Sequence, residues 1–466
     1  MRLQVDDSRV LRIATAVREA GGRALLVGGL VRDALLAGAT PEARDVDLEV
    51  YGVGAERLGA LLREIGPVSA VGAAFTVYKV GDIDVSLPRR DSKTGHGHRG
   101  FTVTGDPTMT VEEAARRRDF TIDAILCDPL TGEVIDPVGG VEDLRARRLH
   151  AVDPGTFGED SLRVLRAMQR AARFELTIDP ATTALCRTIP LDDLPAEGIQ
   201  GEVEKLLLRA RQPSIGLHAG LDLGVVDRLF PELAALSGGP QEPPWHPEGD
   251  VWVHTLQAVD VAAGLIGDLP RPKQLTVMLA TLCHDPGKPL TTEVRDGRIR
   301  SLEHEEVGVA PTRRVLDRLN AQTRDGYDVR AQVLALVADH LKPGQLHQAR
   351  DRVGNGAFRR LSLRCELDLL YRVAKADALG RRRPGAPEPT AEAQEWFLER
   401  ARALEVTSEA LRPLLLGRHL LAMGLRPGPR IGEITWRVYE FQLNGVVATL
   451  DEALAVARRL RESTEG

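Results

Sequence analysis

The stretch DVDLEVYG (45–52) follows LLVGGLVRDALLAG (25–38), and the pair decides how the first third of the chain is read. Apolar residues alternate through DVDLEV, the mark of a strand. Asp45 and Asp47 stand at i and i+2 on it, so their carboxylates face one side and can converge on shared cations. Like charges this close repel unless cations neutralise them, and Mg²⁺ is typically held by one or two carboxylates plus substrate phosphates. Upstream, RALLVGG reads as a strand and LVRDALLAG as a helix. Gly28 and Gly29 then fall at the turn, where backbone N–H groups and a helix N-terminus can take an anion such as a triphosphate. Arg32, one turn into that helix, is placed to pair with a phosphate oxygen.

Outward from this stretch, AERLGALLREIG reads as a helix and FTVYKVGDIDVSL as strands, with Asp84 available as a third carboxylate on a neighbouring strand. The segment PRRDSKTGHGHRGF (88–101), rich in glycine and basic residues, reads as a mobile loop. The periodicity is helical from about 156 to 231, and SGGPQEPPWHPEGD marks a boundary. A second helical block runs from 246 to about 379, GRRRPGAPEPTAEA is a hinge, and a last helical block spans 391–460. The expected organisation is therefore an α/β head (1–143), a helical neck (144–235), a third domain (245–382) and a helical C-terminal region (390–466).

The totals narrow the class. A chain of 466 residues is too long for one core, and 43% hydrophobic with 27% charged residues is ordinary for a folded protein. A net charge of −6 lacks the global basic signature of many nucleic-acid binders, so any RNA contact has to be local. Cys127, Cys186, Cys283 and Cys365 lie far apart without paired spacing, which points to reduced thiols in a cytoplasmic protein and excludes a zinc ribbon. No leader-like apolar segment and no run of about 18 apolar residues occurs, so no membrane is expected as a partner.

Gly28 to Asp33, read as GG-x-x-RD, followed by D-x-D resembles the polymerase-β-like nucleotidyltransferases, whose reaction is an in-line transfer assisted by two cations. With RRRDFTIDAI (116–125), EDSLRVLR (159–166) and GEVEKLLL (201–208) in this order, nearly the whole chain resembles class II tRNA nucleotidyltransferases, the CCA-adding enzymes. The resemblance extends to GHGHRGF and to a tail similar to the tRNA-holding part of many of these proteins. It implies an α/β polymerase-β-like head followed by all-α parts. It also implies Mg²⁺ at Asp45 and Asp47, CTP and ATP as nucleotides, and the acceptor arm and 3′ end of tRNA as the other substrate, with no DNA.

In EDSLRVLR the residues Asp160, Arg163 and Arg166 recur at helical intervals and are expected to share a face. A carboxylate accepts from the amino group of C or A while an arginine donates to a ring nitrogen or carbonyl, which excludes G and U without a nucleic-acid template. By resemblance Asp160 and Arg163 read the base, and Arg166 and Arg118 lie on the phosphate side. The chain departs from the family at Gln169-Arg170, where Arg-Phe is usual, at Asp123, where Asn is common, and in lacking an arginine near Gly198 or Gln200. These changes keep open an enzyme that adds only CC or only A.

The block after 245 places His254, His284-Asp285, His304, His340 and Asp377 in the order of the HD superfamily of metal-dependent phosphohydrolases. Imidazoles with carboxylates suit a divalent transition metal such as Ni, Mn, Co or Fe, with a bound water as nucleophile. Hydrolysis of 2′,3′-cyclic phosphates, 2′-nucleotides or phosphomonoesters is what this resemblance implies. Pro286, where a branched apolar residue is usual, restricts the backbone of Asp285. Arg90, Lys93, Arg99, Arg116–Arg118, Arg145–Arg148 and Arg381–Arg383 are candidate phosphate contacts for RNA. Other readings are a poly(A) polymerase, a catalytically silent tRNA- or nucleotide-binding protein, and a phosphatase working through the HD part alone.

Overall fold

The computed structural model describes residues 2–38, 46–71, 76–93, 101–242, 248–382, 385 and 387–462. By contacts the chain forms two compact units. One comprises Met1–Leu206 with Ile215–Leu229, and the other Leu207–Ser214 with Phe230–Gly466. No helix among the described residues is long and apolar enough to cross a membrane.

The first unit opens with α1 (Ser8–Glu19), capped by the Asp7 carboxylate, which accepts from the backbone N–H of Arg9 and Val10. β1 (Arg23–Leu26), α2 (Gly29–Ala37), β2 (Val46–Tyr51), α3 (Ala55–Ile65), β3 (Ser69–Val71), β4 (Val77–Val80) and β5 (Ile83–Ser86) follow. After β6 (Arg89–Lys93), β7 (Phe101–Gly105) and α4 (Val111–Ala115) come the short β8 (Leu126–Cys127) and β9 (Val134–Ile135). Seven strands join in the order β3-β4-β5-β2-β1-β8-β9. β2 and β5 run parallel, and the other neighbours are antiparallel. The expected α/β head is thus a mixed sheet, and its central strand is VDLEVY (Val46–Tyr51).

Residues 88–101 depart from the expected loop. β6 and β7 pair antiparallel from Arg89–Gly105 to Lys93–Phe101, a two-stranded hairpin apart from the main sheet. Arg-Arg-Asp-Ser-Lys has no apolar alternation to announce a strand, and its partner FTVTG supplies the ladder. Residues 94–100, with Arg99, lie outside the described residues.

The segment expected as the neck folds into helices Leu162–Phe174, Pro180–Thr188, Ala196–Arg209, Pro213–Asp222 and Val225–Leu229, and the boundary between the two units falls within it. The first buries Val164, Leu165, Ala167, Met168, Ala171 and Ala172 and turns its arginines away from that stripe. In the second unit, helices Val251–Ala263, Arg271–Leu282, Val329–Asp339 and Leu367–Leu379 pack around one core. A smaller C-terminal core gathers Leu415, Leu420, Ile434, Val438, Val447, Ala453 and Ala457.

Candidate functional site

β2 buries Val46, Leu48 and Val50 on one side, so Asp47, Glu49 and Tyr51 share the other. Gly28 caps α2 with φ +73°, a left-handed conformation that glycine adopts without steric cost, and a Cβ built there would lie 3.8 Å from Asp47 Oδ2. The glycine turn and the strand carboxylate are therefore neighbours, and the Asp47 carbonyl accepts from the Val27 N–H at 3.1 Å. A cavity of about 220 Å³ opens here, lined by Asp47, Glu49, Ser86, Arg89, Arg117 and Arg118 among others. Asp45 lies outside the described residues. Asp84 pairs in register with Asp47 across the parallel β2–β5 ladder, but both of its oxygens accept from Lys79 Nζ at 2.7 and 2.8 Å.

Arg32 does not face this cavity. Only 1% exposed, it reaches Asp33 at 2.7 Å, contacts the Asp123 carboxylate, and lies 3.9 Å from the Phe174 ring centroid. Its guanidinium is taken up by these acids, and its Nη2 lies 3.3 Å from a Cβ built on Gly29 at the same turn. Two of the departures from the family pattern, Asp123 and Arg170, meet at the same place. Asp123, in the turn Thr121–Asp123, also receives Arg170 Nε at 3.2 Å, and Arg173 stands 3.8 Å from Asp33. Five charges of alternating sign, Arg170, Asp123, Arg32, Asp33 and Arg173, thus run round Phe174, and all three arginines lie within 5.8 Å of its ring centroid. They tie α2 to the neck helix.

The neck helix begins at Leu162, later than the helical reading of EDSLRVLR requires, and Asp160 precedes it, accepting from the Leu162 N–H at 3.1 Å. Asp160 still meets Arg166 at 2.7 Å. Arg163, 8% exposed, donates to the carbonyls of Thr156 and Arg117 and pairs with Asp119 at 2.8 Å. Asp119 also contacts Arg166. The three motif residues are brought together, though through Asp119, whose part sequence reasoning missed although it closes RRRD. Asp119 and Asp160 hold the Arg166 guanidinium above its ordinary pKa, while burial opposes them. Arg118 turns the other way and donates to Glu49 Oε1 at 3.3 Å. Glu49 was missed as well, though its position two residues past Asp47 signals the shared face.

In the second unit the six expected ligands converge. His254 sits on Val251–Ala263, His340 ends Val329–Asp339 and Asp377 lies on Leu367–Leu379. His254 Nε2 is 3.2 Å from His284 Nε2 and 3.1 Å from Asp377 Oδ1. Asp285 lies 3.2 Å from His284 Nε2 and 3.3 Å from His304 Nε2, which is 3.3 Å from His340 Nε2. His284, His304 and His340 each direct Nδ1 at the carbonyl three residues earlier, at 2.7 to 2.8 Å. His254 instead directs Nδ1 at the Glu248 carboxylate, 2.8 Å away. Every inward nitrogen is therefore Nε2, orientated by what its other nitrogen touches. Glu248 carried no signal in the sequence.

Pro286 does not remove Asp285 from this cluster, because the chain has left the helix Arg271–Leu282 before it. Gly287 follows, and a Cβ there would lie 2.0 Å from the His304 carbonyl oxygen. Burial would raise the pKa of Asp285, but His284 and Lys288 hold it well below the usual carboxylate range. Burial and the neighbouring His304 and His284 push His340 down to about 3. Two trios, His254-His284-Asp285 and Asp285-His304-His340, each gather their ligand atoms within 4.8 Å and share Asp285. Four imidazoles and two carboxylates suit divalent transition ions. A cavity of about 190 Å³ at this cluster is also lined by Gln241, Lys288 and Arg381. Lys288 bonds Asp285 and Gln241, each at 2.7 Å, and Arg381 pairs with Asp377 at 3.1 Å.

Of the basic runs, Arg90 pairs with Asp106, Arg148 with Asp143 and Arg381 with Asp377. Arg116 and Arg145 are exposed. Arg383 lies outside the described residues, as do the surroundings of the Lys93 side chain.

Comparison with known proteins follows the same division. Residues 24–150 match the poly A polymerase head domain family, and residues 251–382 match the HD domain family. Among solved structures, the Bacillus stearothermophilus CCA-adding enzyme in complex with CTP is 20% identical, with a TM-score of 0.62 and 98% of each chain covered. The Thermotoga maritima CCA-adding enzyme complexed with tRNA has a TM-score of 0.58 at 19% identity, covering 97% of this chain and 96% of that one. These likenesses show the fold. The multifunctional CCA protein of Xanthomonas campestris pv. campestris is 37% identical over 459 residues, 94% of this chain and 99% of its own. With such identity across almost the full length of both proteins, the chain belongs to the multifunctional CCA protein family.

Proposed function

We propose that this protein adds CCA to tRNA 3′ ends, transferring CMP and AMP from CTP and ATP without a nucleic-acid template, and that its HD part is a phosphohydrolase. The observation that carries the first activity is the juxtaposition of Asp47, which lines one cavity with Arg117 and Arg118, with the positive-φ Gly28 at the start of α2. Asp47, with Asp45 expected beside it, supplies hard oxygen ligands that fit Mg²⁺, which when bound neutralises the triphosphate and lowers the pKa of the attacking hydroxyl. The backbone N–H groups at the start of α2 face the phosphates, and Arg118 offers a positive charge on the same cavity. Asp160 and Arg163 have the donor and acceptor types that match the edges of C and A, and they reach a base by exchanging Arg166 and Asp119 for it.

For the HD part, His254, His284, Asp285, His304, His340 and Asp377 are the residues that would hold a divalent transition metal. Such ions supply a deprotonated water at neutral pH. Lys288 and Arg381 add positive charge beside the cavity, which suits a phosphate ester such as a 2′,3′-cyclic phosphate or a 2′-nucleotide.

Incubation with Mg²⁺, CTP and ATP and tRNAs ending before CCA or after CC tests the reading on one sequencing gel. The expected products are complete CCA ends, and Asp47→Ala abolishes them. Addition of only CC or only A establishes a partial adder, whereas a long A tail establishes a poly(A) polymerase. Absence of any incorporation by the native protein refutes the proposal. Hydrolysis of a 2′,3′-cyclic phosphate that survives Asp47→Ala and is lost in Asp285→Ala assigns that activity to the HD part.

A further inference from the structure

The cavity proposed to receive the triphosphate contains a carboxylate that the metal and phosphate chemistry does not require. Glu49 shares the face of Asp47 on β2 and is 7% exposed. Its Oε2 accepts from the Tyr51 hydroxyl at 2.7 Å, and its Oε1 accepts from Arg118 Nη2 at 3.3 Å. Both oxygens therefore have donors of their own. Arg118 is about one-third exposed and lines the same cavity as Arg89 and Arg117. A negative charge placed among arginines lowers the affinity of that site for any other anion, because the arginine has to exchange one partner for another.

We propose that Glu49 is an intramolecular competitor of the substrate's phosphates for Arg118. This rests on the reading of the Asp47 cavity as the triphosphate site. With the cavity empty, Glu49 holds the Arg118 guanidinium in place, fixed in turn by Tyr51. When a triphosphate enters, Arg118 exchanges the carboxylate for a phosphate oxygen. After transfer, Glu49 takes Arg118 back and weakens the hold on pyrophosphate. Glu49 is thus a positioning residue whose removal tightens anion binding, whereas loss of a merely structural strand residue would loosen it.

The test uses the full chain and needs no turnover for its main arm. Magnesium pyrophosphate binding is measured by calorimetry for the native protein, Glu49→Gln and Tyr51→Phe, alongside KM for CTP on a tRNA lacking CCA. Glu49→Gln keeps an acceptor for Arg118 and removes the charge. It is expected to tighten pyrophosphate binding and lower the KM for CTP by roughly threefold or more, the scale of a partly exposed ion pair. Tyr51→Phe keeps both charges and is expected to leave both constants within twofold. Glu49→Val, whose β-branched side chain suits a strand interior, moves binding in the same direction and serves if the amide fails to fold. Unchanged or weakened pyrophosphate binding in the Glu49 variants overturns the proposal. Native protein that binds pyrophosphate yet incorporates no nucleotide overturns the CCA-adding reading instead, and the Glu49 comparison still decides the pairing.

Discussion

Asp123 is the point at which the charge ring around Phe174 is most easily opened. Its carboxylate serves Arg32, which is 1% exposed, and Arg170, whose side chain is 24% exposed. Removing one partner of a fully buried ion pair costs about 3–5 kcal/mol. Arg32 keeps Asp33 and the Phe174 face in Asp123→Ala, so the loss there is smaller, roughly 2–3 kcal/mol. The Arg170 contact is partly solvated and contributes only ~0.2–1 kcal/mol. Together they predict that Asp123→Ala destabilises the first unit by about 2–4 kcal/mol, a Tm shift of roughly 5–15 °C for a unit of this size. Asp123→Asn, which keeps a hydrogen-bond acceptor, costs about half as much. The assay exploits an asymmetry: Trp245, Trp252, Trp396 and Trp436 all belong to the second unit. Tryptophan fluorescence therefore follows that unit, and far-UV circular dichroism follows both. The expected result is a lowered dichroism transition with an unmoved fluorescence transition. Arg170→Gln in the Asp123→Ala background should then add less than it does alone. Strict additivity to within ~0.3 kcal/mol would refute the ring as a connected unit.

Gly287→Ala forces a methyl group against the His304 carbonyl and its neighbour Gly308. Loss of HD-bound metal by elemental analysis is expected, together with about 1–3 kcal/mol of destabilisation in the second unit and intact nucleotide incorporation. Full metal content in this variant would contradict the close approach. Burial raises the Glu232 pKa, but Arg318 and Arg314 outweigh it and hold the carboxyl below its ordinary 4.5. Its contribution to stability is therefore complete above that value and declines as pH falls through the lowered one. Glu232→Gln should flatten the acid limb of the fluorescence transition, and an unchanged limb would exclude this pair as its source. Burial also raises the thiol pKa of Cys127 to about 11 and those of Cys186, Cys283 and Cys365 to about 12. Native protein at pH 8 should give no fast reaction with a disulfide reagent and four thiols after denaturation, so a rapidly labelled native cysteine would count against the packing.

What the residues alone made legible was local. The strand that carries Asp47 and the glycine turn before α2 depend on geometry that a few consecutive residues dictate, whereas the HD residues, spread from His254 to Asp377, were legible only through their family order. The hairpin Arg89–Lys93 with Phe101–Gly105 was hidden because its first strand is polar throughout and gains its hydrogen bonds only from its partner. The surroundings of Arg32 were hidden because they are set by Asp123, 91 residues away, and by Phe174 beyond that. Asp119 was overlooked for the same reason, since it matters only once the neck helix lies alongside. Glu49 was within reach, because the alternation that paired Asp45 with Asp47 extends one step further along the strand.

The three histidines whose outer nitrogens rest on a carbonyl three positions back have a broader consequence. Each ring is aimed by its own stretch of backbone, so the aim persists when the centre is stripped by a chelator. A divalent ion therefore meets rings whose direction the backbone has already fixed, and its binding need not wait on a refolding step.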